Sequence, residues 1–83
     1  MNSSEIKNLI EEGIPGASAY VDGDGSHFVA RVVSTAFSGL PTLKQHKMVY
    51  AALGSSMESA IHALSIQTYT PEAWEKARKF QAV

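Results

Sequence analysis

Hydrophobic positions along the chain change period several times, and each change marks an element. Ile6, Leu9 and Ile10 fall at i, i+3 and i+4, the spacing of one helix face. The pattern predicts a short helix over residues 3–12, with Asn2 or Ser3 able to cap its start. Gly13 is placed to end that helix and Pro15 to prevent its return. The period then drops to two. Residues 17–22 and 27–34 read as strands, with Phe28, Ala30 and Val32 on one face and His27, Val29, Arg31 and Val33 on the other. The DGDGS between them reads as a hairpin loop in which Gly23 and Gly25 supply positive φ.

A turn at Ser38-Gly39 leads into a second helix. Thr42 as N-cap and Gln45 at N3 would form a capping box. Leu43, Tyr50, Leu53 and Met57 repeat at helical spacing and predict the inward stripe, with His46 lying on it as a half-buried histidine. Gly54 and the two serines after it predict a break, followed by a shorter helical piece through Met57. IHALSIQTY, residues 61–69, reads as the third strand, with His62, Leu64, Ile66 and Thr68 on one face. TYTPEAWEKARKF then opens the last helix: Thr70 caps it, Pro71 takes the first helical position, and Tyr69 can staple against Trp74. Two strands joined by a hairpin pair antiparallel, and a strand reached through a helix pairs parallel. The expected fold is therefore α+β, a three-stranded mixed sheet with helices packed on one face.

Composition narrows the function without choosing it. The 83 residues make a single domain over 1–83, and 45% hydrophobic with 18% charged residues is ordinary for a globular chain. Seven basic and eight acidic residues nearly cancel, so net charge points to neither nucleic acid nor a membrane surface. With no cysteine, the chain has neither disulfides nor thiolate ligands of its own, which suits a reducing compartment. MNSSEIKNLIEEG has acidic residues and no apolar core, so a signal peptide is not expected. No apolar run approaches the ~20 residues of a membrane span. The expected location is cytoplasmic.

Candidate chemistry is sparse. Asp22 and Asp24 match the opening of an EF-hand loop, but His27 stands where its glycine belongs and Val33 where its glutamate belongs. DGDGS joins strand to strand and lacks the lysine of a phosphate loop. There is no cysteine nucleophile and no G-x-S-x-G elbow, and Glu11, Glu12 and Glu58 read as solvated helix positions, so no enzymatic activity is expected. Lys44, His46 and Lys47 make a basic helix start that Arg31 could approach, and such a start can contact phosphate. The αββααβ order also occurs in KH domains, yet Gly39-Leu40-Pro41-Thr42 keeps only the first glycine of their G-x-x-G loop. His27 and His62 each open a strand, a position that also suits an ordinary partly buried histidine. If those strands are parallel neighbours, the two imidazoles share one end of the sheet and become candidate metal ligands.

The stretches DGSHFVARVVSTAFSGLPTLKQHKMVYAAL and IHALSIQTYTPEAWEKARK together resemble the BolA family of small proteins, and within it the branch usually called IbaG or BolA-like. The basic-flanked His46, the HALSI strand and the TPEAW helix start stand at family spacing, and the likeness spans about residues 5–80. The resemblance implies a class II KH-like fold, αββααβα, and a non-enzymatic partner of CGFS monothiol glutaredoxins. In the family the heterodimer bridges a [2Fe-2S] cluster, with thiolates from glutaredoxin and glutathione and a histidine from the strand that here begins at His62. Histidine ligation tends to raise the potential of such a cluster. A second family ligand, cysteine or histidine, lies in the first hairpin loop. Aligned on the following aromatic, it falls on Asp24, with His27 three residues on, so His27, Asp24 or neither fills that role. Family roles include cluster trafficking, iron homeostasis and stress response. The isolated protein is expected as a monomer or weak homodimer without a cofactor. The alternative expectation is a KH-like nucleic-acid-binding transcription regulator using Arg31, Lys44, His46, Lys47, Arg78 and Lys79. A third is an adaptor that binds glutaredoxin without metal through the last helix.

Overall fold

The computed structural model describes residues 2–24, 26–57 and 63–81. Helix α1 spans Ser3–Gly13, strand β1 Ser18–Gly23, strand β2 Phe28–Val33, helix α2 Thr42–Leu53, strand β3 Leu64–Tyr69 and helix α3 Pro71–Gln81. Short 3-10 turns at Thr35–Phe37 and Gly54–Met57 flank α2. The second of these is the shorter helical piece expected after Gly54. Gly25, Glu58 and His62 lie outside the described residues. No helix among those described is long and apolar enough to cross a membrane.

The sheet order is β1-β2-β3, antiparallel then parallel, as the connections dictate. Its inner face carries Ala19, Phe28, Ala30, Val32 and Leu64, all buried against Ile6 and Ile10 of α1, Ile14 just beyond it, and Val49 and Leu53 of α2. Thus α1 and α2 form the expected helical layer. They approach closely because Gly13 faces Ala52: a Cβ at Gly13 would lie 2.5 Å from the Ala52 Cβ. Asn2, not Ser3, caps α1, its Oδ1 accepting the Glu5 N–H at 2.9 Å.

The last helix departs from the one-sided layer. Trp74 of α3 stacks on Tyr20 with ring centroids 5.0 Å apart and meets Tyr69 at 5.1 Å. Tyr20 and Tyr69 alternate with inner-face residues, so α3 applies its tryptophan to the outer face of the sheet. Its start is as predicted: the Thr70 hydroxyl accepts the Ala73 N–H at 3.3 Å, and Tyr69 and Trp74 form the staple.

Three local expectations are corrected. The capping box is absent, because Pro41 occupies the N-cap of α2 with no side-chain bond. Gln45 instead turns back, donating to Leu40 O at 2.8 Å and Phe37 O at 3.3 Å and accepting the Thr68 hydroxyl at 2.5 Å. This fastens the entry loop and β3 to the helix. The predicted stripe is also rotated. Leu43 is 67% exposed and Tyr50 38%, while Val49 and Leu53 are buried with Met48 and Ala52 packed beside them. Only Leu53 belongs to both faces, and the side chain of Met57 lies outside those described. Finally, Gly23 does not take positive φ. It is the last residue of β1, and its missing side chain leaves room for the Phe28 ring, which a Cβ would approach to 2.3 Å.

Candidate metal-binding end of the sheet

The loop from β1 to β2 is built on Asp24. Its Oδ1 accepts the N–H groups of Ser26 and His27, each at 2.9 Å, and its own N–H donates to His27 O at 3.2 Å. An aspartate that bonds its own backbone two and three residues on fixes a tight turn. The His27 N–H, then that of Ser26, holds the Asp24 carboxyl below its ordinary value. One carboxylate oxygen is thereby committed to the turn. His27 follows it, exposed, and no hydrogen bond engages its imidazole among the described residues.

The parallel pairing aligns Phe28 with Leu64. The Asp24–His27 loop and the chain entering β3 therefore meet at one end of the sheet. His62 stands two residues before Leu64 in the sequence and lies outside the described residues. Among those described, no group of three or more histidine, aspartate or glutamate side chains is gathered into a metal site.

The basic residues are divided between the two faces of the sheet. Lys44 and Lys47 are exposed on α2, with His46 half-buried between them. Arg78 and Lys79 are exposed near the end of α3, on the helix that serves the other face of the sheet, and Arg78 lies 3.7 Å from Glu75. Arg31, read as able to approach the α2 start, lies on the outer face that the strand alternation gives it, because Ala30 and Val32 take the inner one. Its Nε is enclosed there without a hydrogen-bond partner among the described residues.

Two contributions escaped the sequence pattern. Glu11 is not a solvated helix position: its Oε2 accepts the Ala19 N–H at 3.0 Å and the Lys7 Nζ at 2.5 Å. These two donors, Lys7 first, hold its carboxyl below the ordinary value. The i, i+4 spacing from Lys7 was the available signal. Gln45 had a weaker one, a polar residue on what proves to be the inward side of α2.

A family model described as BolA-like protein matches residues 5–73, and the chain belongs to the BolA family. The acid stress protein IbaG of Escherichia coli (strain K12) is 35% identical over 80 residues, covering 95% of each chain. BolA-like protein 1 of Homo sapiens is 39% identical over 74 residues, 89% of this chain and 53% of that longer one. A solved bolA protein homologue from Coxiella burnetii superposes with a TM-score of 0.80 at 45% identity, over 90% of this chain and 97% of that one.

Proposed function

We propose that this protein is a non-enzymatic partner of a CGFS monothiol glutaredoxin, sharing a bridging [2Fe-2S] cluster in cluster trafficking, iron homeostasis or stress response. The observation that supports it most is the Phe28–Leu64 register, which brings the Asp24–His27 loop to the sheet end where the chain emerging from His62 enters β3. The donor set suits the group. A neutral imidazole is a good iron ligand, His27 is exposed with its ring unengaged among the described residues, and the chain has no cysteine to complete a cluster alone. His62 is the principal ligand in this reading. His27 is its companion in preference to Asp24, whose Oδ1 already holds the turn. The cluster supplies iron bound by both proteins, with thiolates from glutaredoxin and glutathione. This chain supplies imidazole.

The test is anaerobic reconstitution with a CGFS glutaredoxin, glutathione, iron and sulfide. A one-to-one complex with visible iron–sulfur absorption is expected. His62→Ala should abolish that spectrum or make the cluster labile, and His27→Ala should weaken it. A spectrum and lability unchanged by His62→Ala would remove the assignment.

A further inference from the structure

The free edge of β1 carries a feature unconnected with the cluster reading. Asp24 N–H bonds His27 O, which sets the phase of the hairpin ladder. Ser18, Tyr20 and Asp22 then face β2, and the main-chain groups of Ala19, Val21 and Gly23 face away from the sheet. The Ala19 N–H does not meet solvent. It donates to Glu11 Oε2, on the last turns of α1, and Lys7 clamps the same oxygen. No partner takes the N–H of Val21 or Gly23 among the described residues. An unpaired edge of this kind is a template for another strand unless something obstructs it.

We infer that Glu11 is a latch that keeps the β1 edge closed to a second copy of this chain, and that without a side-chain acceptor at this position two copies pair β1 to β1 antiparallel. The occupant follows from the strand itself. A two-fold axis at Val21 sets Ala19 of one copy across from Gly23 of the other, so small residues meet on the inner face. On the outer face Tyr20 meets Asp22, and Ser18 meets Asp24, so no two carboxylates are directly opposed. The Ala19 N–H is needed at both ends of that ladder. Glu11 withholds it at both, and its charge would have to be desolvated by the incoming strand.

Glu11→Ala tests this by sedimentation equilibrium at submillimolar concentration, with amide hydrogen exchange on the same sample. The wild type is expected at 8.9 kDa. The variant is expected at twice that mass, with the Val21 and Gly23 amides newly protected. A variant that stays monomeric overturns the inference, and so does a dimer in which those two amides still exchange freely. Should the variant lose its fold, the wild type decides: Ala19 protected while Val21 exchanges freely supports the latch, and equal exchange at the two overturns it.

Discussion

Asp24 holds its loop with one oxygen, and that oxygen is what a substitution removes. Asp24→Ala leaves the Ser26 and His27 N–H groups without their acceptor, whereas Asp24→Asn keeps a carbonyl in the same place. Exchange of those two amides should accelerate in the alanine variant and stay close to wild type in the asparagine one. In the cluster reading, Asp24→Asn then preserves the loop that presents His27. Gln45 is the second residue whose work is done by particular atoms. Replacing it with alanine leaves the Leu40 carbonyl and the Thr68 hydroxyl without their partner in a half-buried setting. The expected cost is about 1–3 kcal/mol, read as a lower denaturant midpoint with unchanged slope. Neither role is written in residue type alone. Asp-Gly announces a turn but not which atoms close it, and glutamine three residues after a threonine suggests a capping box that cannot form once Pro41, not Thr42, stands at the N-cap.

Elements differ in how plainly their sequence states their orientation. The start of α3 was legible because it uses local chemistry only: Thr70, Pro71 and the Tyr69–Trp74 staple act within a single turn. The face of α2 was not. Leu43, Tyr50 and Leu53 make a regular apolar stripe, but the buried face lies about a third of a turn away, and Leu53 sits on the border of both. The choice depends on what the helix packs against: Gly13 admits Ala52, and Gln45 must reach the Leu40 carbonyl and Thr68. Gly13→Val tests that packing. Its side chain would enter the space of Ala52, so a loss of about 1–3 kcal/mol is expected from crowding. Leu43→Ala, on the exposed side of the same helix, should change stability by less than about 0.5 kcal/mol. Equal effects of the two substitutions in urea unfolding would contradict the assigned face.

At the scale of the molecule, connection rules predicted the strand order and the parallel register, and with them the meeting of the hairpin loop and the β3 entry. They did not predict that α3 would serve the outer face, because Tyr20 and Trp74 are far apart in sequence and only the closed sheet brings them together. The same long-range logic governs acid stability. Glu11 joins α1 to the β1 edge and Asp24 closes the β1–β2 loop, so each carboxylate accepts bonds that exist only in the folded chain. Both folded-state carboxyls lie below their ordinary values. Between the folded and unfolded values the unfolded chain therefore binds more protons, and stability rises with pH across that window. Their contribution is complete above the unfolded values of about 4 and disappears as pH falls through the lower folded ones. Urea midpoints should accordingly hold between pH 7 and pH 5 with respect to these two groups and drop below about pH 4. A double Glu11→Gln, Asp24→Asn variant keeps acceptors that do not titrate, so its midpoint should start lower at pH 7 and fall less steeply in acid. If the variant and the wild type lose stability in parallel below that point, the acid dependence belongs to other carboxylates, and these two do not tie the helix and the loop to the sheet.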